Sequence, residues 1–346
     1  MGDGTMPIIR ARALLTAAML ALTGLPAAAQ EVTLTLHQFL PADANVPRLI
    51  LDVWADRIEA ASEGRIEIER YPSMQLGGRP PELMDQAIDG VADIVWTATG
   101  YTPGRFPRAE VFELPFLVSE AGAASGAFWQ LYERDMQEEF AGVRLLATWV
   151  HGPGVIHADR EVATPSDLRG MKVRGPSRIV NTMLETLGAT PVGMPVPAVP
   201  EALSKGVIDG TTIPWEVTGS LRVPELVTNH TEFEGPMLYT LTFVLAMNRD
   251  RYESLPGDLR QIIDDNSGLD FSIFAGETQA AADAPARAVA VEAGNAIVTV
   301  QGDALEPWVA AAEPVRTAWV AGMEALGIDG QALIDDARAL LESGGR

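Results

Sequence analysis

The order of strand and helix patterns along the chain predicts two α/β domains. Segments that alternate apolar and polar residues are followed by segments with helical spacing, which is typical of parallel or mixed sheets covered by helices. The phrase helix, Gly-Val-x-Asp, strand occurs twice, at residues 90–93 and 206–209, and this favours a duplicated domain plan. Because 47% of the 346 residues are hydrophobic and none is cysteine, packing must stabilise both domains without disulfides.

The first half of the chain reads strand, helix, strand, helix, strand. Residues 32–37 alternate apolar and polar side chains, as a half-buried strand does. Helical spacing then runs from Leu49 to Ile58 and stops near Gly64. Further strands are predicted at 66–69 and 92–96, with a helix at 81–88 between them.

The second half repeats this order and then becomes helical. Strands are predicted at 143–150, 171–174, 208–213 and 296–300, and helices at 180–187 and 199–205. One long helix is predicted from Leu255 to near residue 290, and two helices end the chain. Since no low-complexity linker separates the halves, we expect them to exchange segments. Domain I then comprises residues 30–152 and about 241–285, and domain II comprises 153–240 and about 286–346.

Residues 1–29 have the order of parts found in a secretory signal. Arg10 and Arg12 precede a short apolar stretch, and three alanines at 27–29 fit the small-x-small cleavage pattern. We therefore expect export to the periplasm of a Gram-negative bacterium, with the mature chain starting near Gln30. The alternative is an apolar terminal helix that is retained in the fold.

The formal net charge of −22 makes nucleic acid and anionic lipid poor partners. Solubility alone is a sufficient explanation for this charge. It also means that any site for an anion must depend on local, buried positive charge, since the overall field opposes the ligand.

Motifs for catalysis and for cofactors are missing from the sequence. There is no Gly-x-Ser-x-Gly elbow, no Gly-x-Gly-x-x-Gly after a strand and no Walker phosphate loop. The four histidines, His37, His151, His157 and His230, show no zinc-site spacing. His151 and His157 flank a Gly-Pro-Gly turn, where solvated loop positions are expected. We therefore predict a protein that is not an enzyme and that holds no metal or cofactor.

Arg174 is the sharpest candidate for a binding residue. It ends a short predicted strand that leaves the turn at Gly170 and stops at Gly175-Pro176. The carboxyl ends of strands in open α/β sheets are where ligands bind, and a guanidinium can hold a carboxylate through two hydrogen bonds. A surface salt bridge is the alternative from spacing alone.

A series of short motifs resembles the extracytoplasmic solute receptors of tripartite ATP-independent periplasmic (TRAP) transporters, the DctP-like family. The resemblance covers essentially all of the mature chain. The matching motifs are Tyr71-Pro72 with Gln75-Leu76-Gly77, Gly90-Val91-Ala92-Asp93, Leu114-Pro115-Phe116, Asp167 to Arg174, Leu187-Gly188-Ala189-Thr190-Pro191, Gly206-Val207-Ile208-Asp209-Gly210 and Leu255-Pro256.

The resemblance implies a periplasmic-binding-protein clamshell of two α/β domains with mixed sheets, bridged by a long helix. It implies that Arg174 clamps the carboxylate of a small organic acid in the cleft. Closure by a hinge and delivery to the TRAP membrane subunits follow from it, and we expect a monomer. A periplasmic ligand sensor for a signalling receptor needs the same fold and is the alternative, and a periplasmic hydrolase or lyase is a further one.

Two departures from the family pattern bear on the ligand. Many members carry Asn where this chain has Ile213, and many have Gly-Phe-Arg where it reads His151 to Val155. One polar contact and one positive charge are therefore missing. A second buried carboxylate without a partner would be costly, so a monocarboxylate is expected.

Other site candidates come from the loops that follow predicted strands. Trp215 is expected to contact the ligand. Glu216 is expected to bind a ligand hydroxyl or to help hold a cation, with a solvated carboxylate or a hinge contact as the alternative. The remaining candidates are Phe39, Gln75, Trp96, Thr97, Arg178 and Ile213, and core packing is the better explanation for most of the aromatic residues near strand ends, which include Tyr101, Trp149, Tyr239 and Phe243.

Overall fold

The structure is a computed structural model that describes residues 1–2 and 30–346, so the predicted signal lies almost entirely outside the described residues. The strands are β1 (Val32–His37), β2 (Ile66–Tyr71), β3 (Ile94–Ala98), β4 (Val143–Val150), β5 (Val155–Ala158), β6 (Lys172–Gly175), β7 (Thr190–Gly193), β8 (Gly210–Ile213), β9 (Asn229–Phe233), β10 (Thr242–Asn248) and β11 (Ala296–Val300). The α-helices are α1 (Asp52–Ala61), α2 (Leu83–Ile88), α3 (Ala121–Leu131), α4 (Arg178–Thr186), α5 (Val199–Ser204), α6 (Val223–Leu226), α7 (Arg249–Ser254), α8 (Gly257–Asp265), α9 (Leu269–Ala281), α10 (Asp283–Glu292), α11 (Glu306–Ala325) and α12 (Gly330–Glu342).

Two mixed sheets organise the protein, as predicted. The first has the order β2-β1-β3-β10-β4 and the second β11-β9-β5-β8-β6-β7. Strands β1, β2 and β3 are parallel, and β6, β7 and β8 repeat their order and direction. In each sheet the next strand is antiparallel: β10 lies between β3 and β4, and β5 between β8 and β9. The two halves therefore share one order of strands. Each also exchanges one strand with the other: β10 completes the first sheet and β5 completes the second.

The repeated Gly-Val-x-Asp motif has the same structural role in both halves. Each glycine ends a helix with a positive φ, 72° at Gly90 and 65° at Gly206. Each aspartate then accepts a backbone N–H from the neighbouring parallel strand. Asp93 accepts from Thr35 of β1 at 2.8 Å, and Asp209 accepts from Lys172 of β6 at 2.7 Å. The phrase thus ends a helix and aligns two strands.

The bridging helix is shorter than the sequence patterns predict. Gly268, with φ 84°, separates α8 from α9, so no single helix runs from Leu255 to residue 290. Helices α9 and α10 follow each other closely and break at Ala282. Because Pro285 has no N–H for the carbonyl of Ala281, the helical hydrogen bonding cannot continue there. Helix α9 packs on α3 and β4 beside the first sheet, and α10 packs on residues 215–217 beside the second.

The last helix returns to the first sheet's side of the molecule. Helix α11 packs on α4, whereas α12 packs on α3 and on residues 109–113. Helix α12 also packs on α11, so residues 330–342 contact elements of both halves, and the predicted domain boundaries stay a prediction. None of the helices within residues 30–346 is long and apolar enough to cross a membrane.

His157 and His230 form a buried pair in the second sheet, which corrects the solvated position expected for His157. Asn295 Nδ2 donates to His230 Nε2 at 3.0 Å, the two Nδ1 atoms lie 2.8 Å apart, and His157 Nε2 lies 3.2 Å from the carbonyl oxygen of Ile213. The carbonyl only accepts and the Asn295 amide only donates, so the protons are assigned. His157 carries its proton on Nε2, and His230 donates from Nδ1.

We expect both imidazoles to stay neutral at pH 6. Burial lowers the pKa of His157, with the neighbouring His230 lowering it further, and burial lowers the pKa of His230 to about 4. The unfolded chain binds protons near pH 6.5, so the pair's contribution to stability is present above that pH and lost as pH falls towards 4. Long-range ¹H–¹⁵N NMR should detect the Nε2–H tautomer of His157 and the Nδ1–H tautomer of His230. A charged ring at pH 6 would contradict the assignment.

Candidate ligand-binding site

A cavity lies between the two sheets, where strands of both halves and the bridging helix meet. Its empty volume is about 370 Å³, including the open solvent at its mouth. Its walls are mostly apolar or aromatic, with a few polar groups. The lining residues are Phe39, Leu40, Trp96, Tyr101, His151, Arg174, Pro176, Val196, Thr212, Ile213, Pro214, Glu216, Val217, Tyr239, Leu241, Phe243 and Gln279.

Arg174 brings a buried positive charge to this cavity. It lies in β6, at the carboxyl end of the sheet, and its side chain is only 1% exposed. Nε donates to the carbonyl of Met194 at 2.8 Å and Nη1 to that of Thr212 at 3.0 Å. These two bonds hold the guanidinium across the ends of neighbouring strands. Burial lowers the pKa of Arg174, but a guanidinium remains charged in proteins.

The third nitrogen of Arg174 is left for a ligand. Nη2 is buried and has no hydrogen-bond partner among the described residues. The hydroxyl of Tyr239, another lining residue, is also without a partner there. A buried charge without a counter-ion is costly, and a carboxylate oxygen between these two donors would satisfy both. The geometry therefore suits an anion.

Stacked aromatic rings form the apolar wall of the cavity. The ring centroids of Phe39 and Trp96 lie 4.4 Å apart at an interplanar angle of 18°. Phe243 lies 5.4 Å from Trp96 on its other side, and Tyr101 meets Phe39 edge-on at 5.4 Å. Such a wall favours a flat apolar group through stacking and burial.

A second polar group, Glu216, faces the cavity without contacting Arg174. Its side chain is 3% exposed, its Oε1 accepts from Gln279 Nε2 at 2.8 Å, and its Oε2 has no partner among the described residues. Burial raises the pKa of Glu216 to about 7, against the lowering effect of the hydrogen bond from Gln279 and of the nearby Asn45 amide, which donates to the backbone carbonyl of Glu216 at 2.7 Å. Asp283 accepts the backbone N–H of Glu216 at 2.7 Å, and burial raises its pKa to about 8.

His151 lies in the cavity wall rather than in a solvated loop, which corrects the sequence-based expectation. It is 2% exposed, and its ring meets Tyr239 edge-on at 5.5 Å. Nδ1 lies 2.5 Å from the carbonyl of Gly152, so that nitrogen carries the proton. Burial lowers the pKa of His151 to about 4, opposed by this hydrogen bond.

Five of the predicted site residues line the cavity, and four do not. Phe39, Trp96, Arg174, Ile213 and Glu216 lie in its wall. Gln75 is exposed in a surface loop, and Thr97 is buried on the opposite face of β3 from Trp96. Trp215 and Arg178, the other two, have partners elsewhere.

Trp215 turns away from the cavity into the second sheet. Its ring packs against His230 at 4.8 Å and against His157 at 5.0 Å. Its Nε1 donates to Glu232 Oε2 at 3.0 Å. The ligand contact predicted for Trp215 is therefore not supported by its position, and its neighbour Glu216 faces the cavity instead.

Arg178 joins the two halves of the molecule outside the cavity. Its Nε donates to Glu110 Oε1 at 3.1 Å, and Nη2 makes a second bond to the same carboxylate. Trp319 of α11 donates to Glu110 Oε2 at 3.1 Å. Glu110 belongs to the first half and its two donors to the second, so this Glu110 cluster (Glu110, Arg178 and Trp319) holds the halves together.

Replacing Glu110 by glutamine should speed ligand release about five- to tenfold. The carboxylate is buried whereas Arg178 is half exposed, so solvent screening keeps the expected loss moderate. Stopped-flow tryptophan fluorescence measures the release rate. Glu201→Gln, which removes an exposed pair within one helix, is the control. An unchanged rate in Glu110→Gln would show that the cluster does not resist opening.

Sequence reasoning did not select Gln279, Thr212 or His151 for the site. Gln279 comes from α9, far along the chain from the strand ends where candidates were sought. Thr212 contributes through its backbone carbonyl, which no side-chain pattern reveals. A histidine beside a Gly-Pro-Gly turn has a loop signature, whereas His151 is buried against Tyr239 and Phe243, which lie far along the chain.

Known proteins resemble this chain in sequence and in structure. Residues 41–321 match the sequence profile of bacterial extracellular solute-binding protein family 7, DctP. A TRAP solute-binding protein from Rhodoferax ferrireducens T118, solved with copurified benzoate, is 49% identical with a TM-score of 0.89, covering 90% of this chain and 98% of that one. A marine metagenome TRAP protein specific for aromatic acid ligands, solved with 3-hydroxybenzoate, is 44% identical with a TM-score of 0.89 over 91% and 99% of the two chains.

A third solved relative extends the comparison. The TRAP periplasmic solute-binding protein of Bordetella bronchiseptica, solved with (R)- and (S)-mandelate, is 30% identical with a TM-score of 0.83 over 90% of this chain and 99% of that one. Both the family profile and these relatives cover most of the chain. The chain therefore belongs to bacterial extracellular solute-binding protein family 7, the DctP-type solute receptors of TRAP transporters.

Proposed function

We propose that this receptor works in the periplasm, closes around an aromatic monocarboxylate and delivers it to the membrane subunits of a TRAP transporter. The observation that carries the proposal is the free Nη2 of buried Arg174 in a cavity walled by stacked aromatic rings. One ligand carboxylate would pair with Arg174, the only arginine or lysine among the described lining residues. The stacked aromatic rings of the wall would contact a flat apolar group of the ligand.

The residues proposed to hold the ligand divide into two groups. Arg174 and Tyr239 hold the carboxylate from the strand ends. Phe39, Trp96 and Phe243 contact the aromatic ring. The ligands of the relatives support this division, since benzoate, 3-hydroxybenzoate and mandelate each have one carboxylate and one aromatic ring.

A dicarboxylate suits the cavity less well. Its second carboxylate would lie in a wall whose other ionisable groups include Glu216 and neutral His151. Among the described residues that line the cavity, Arg174 is the only arginine or lysine. An unpaired carboxylate beside another carboxyl group costs several kcal/mol.

The test is a ligand panel on protein freed of copurified molecules by unfolding and refolding. Benzoate, hydroxybenzoates, hydroxyphenylacetates and mandelate should raise the melting temperature and bind in isothermal titration calorimetry, whereas succinate and malate should not. Tight binding of a C4 dicarboxylate, with no binding of any aryl acid, would overturn the proposal.

A further inference from the structure

Glu216 is held in one orientation by a chain of hydrogen bonds whose donors are known. The indole Nε1 of Trp149 donates to Gln279 Oε1 at 2.8 Å, because an indole N–H only donates. The amide nitrogen of Gln279 must then face Glu216, and it donates to Glu216 Oε1 at 2.8 Å. Oε1 is therefore always an acceptor in this arrangement.

The second carboxyl oxygen of Glu216 is left available for a ligand. Oε2 is buried, belongs to a residue that lines the cavity and has no protein partner in the described part of the chain. Since Oε1 accepts from Gln279, any proton on Glu216 must be on Oε2. This oxygen donates a hydrogen bond when Glu216 is neutral and accepts one when it is ionised. A hydroxyl group is the ligand function that satisfies both states.

The cavity thus has two polar positions joined by an aromatic wall. Arg174 Nη2 and Glu216 Oε2 both lack partners, so they do not bond to each other. We infer that Glu216 is a specificity-determining residue that selects aromatic monocarboxylates bearing a hydroxyl group away from the carboxylate. This inference rests on the proposed function, because it requires the ligand's carboxylate to bind Arg174.

The groups around Glu216 favour a neutral hydroxyl at this position. Asp283 lies on its backbone side, His151 is neutral and positive Arg174 is occupied by the ligand's carboxylate. With benzoate bound, Oε2 faces an apolar ring edge, and an ionised Glu216 would be buried without a partner. With a hydroxyaryl acid, the hydroxyl donates to that oxygen. Because burial raises the pKa of Glu216 to about 7, the preference for the hydroxyl should grow as pH rises from 6 to 8.

Calorimetric titration of benzoate and of 2-, 3- and 4-hydroxybenzoate at pH 6 and pH 8 tests the inference. The wild type should bind its best hydroxybenzoate at least about tenfold more tightly than benzoate at pH 8, and less selectively at pH 6. Glu216→Met should reduce the ratio to about one, with benzoate bound as well as or better than before. Glu139→Gln, which changes a buried carboxylate outside the cavity, should keep the wild-type ratio.

A second variant keeps the test decisive if Glu216→Met does not fold. Glu216→Gln retains an acceptor for Gln279 and a donor for the ligand, so it should keep a hydroxyl preference that no longer changes with pH. If the wild type binds aryl acids without a hydroxyl preference, or if the preference survives in Glu216→Met, the inference fails while the proposed function stands. If no aryl acid binds the wild type, the proposed function itself fails.

Discussion

Replacing Arg174 by methionine should weaken benzoate binding by roughly 2–4 kcal/mol, or about 30- to 900-fold in Kd. Methionine replaces the unbranched apolar stem of the side chain but removes the guanidinium and its charge. The ligand's carboxylate would then be buried without a cation, against the field of an acidic protein. Isothermal titration calorimetry measures the loss directly.

The same substitution should change the stability of the ligand-free protein much less. It removes two hydrogen bonds, to the carbonyls of Met194 and Thr212, but it also removes a buried charge that lacks a counter-ion. Arg169→Met changes an exposed arginine five residues earlier and should bind benzoate like the wild type. If Arg174→Met binds benzoate with unchanged affinity, the carboxylate is held elsewhere.

Replacing Trp96 by alanine should lower the free energy of unfolding by about 3–5 kcal/mol. The ring is 1% exposed and lies between Phe39 and Phe243, so truncation leaves a large cavity in the first sheet's face. Affinity for an aromatic acid should fall about 2- to 13-fold, since one aromatic contact contributes about 0.5–1.5 kcal/mol. Urea unfolding without ligand and calorimetry with ligand measure the two effects separately.

Trp308→Ala separates the loss of stability from the loss of binding. Trp308 in α11 is equally buried and packs edge-on against Phe233 at 5.0 Å, but it does not line the cavity. Its truncation should cost a similar free energy of unfolding and leave the Kd for the ligand unchanged. A matching fall in affinity in both variants would mean that Trp96 acts through stability alone.

The fold was largely predictable because its signals are local. The alternation of β1, the helix-ending glycines at 90 and 206 and the apolar run of β4 each identify an element without knowledge of its neighbours. The patterns did not predict β5, β7, β9 or β10. β5 and β7 have four residues each, and β7 contains Pro191. β10 is buried throughout, so it shows no alternation.

The site was less predictable because its members meet only in three dimensions. Arg174 could be selected because a strand end and a family motif coincide there. Trp215 and Glu216 are adjacent in a loop that follows a strand, and nothing in their order reveals that the first turns into the sheet while the second faces the cavity. The partners that decide this, His230 and Gln279, lie at distant positions in the chain.

The exchange of β5 and β10 has a consequence for how the chain folds. The first sheet has β10 in its interior, so β3 and β4 each lack a hydrogen-bonded neighbour until residues 242–248 are present. An N-terminal fragment that ends at β4 would expose two open sheet edges. The strand pairing of the first sheet therefore cannot be completed until residue 248, about 70% of the way along the chain, has been synthesised.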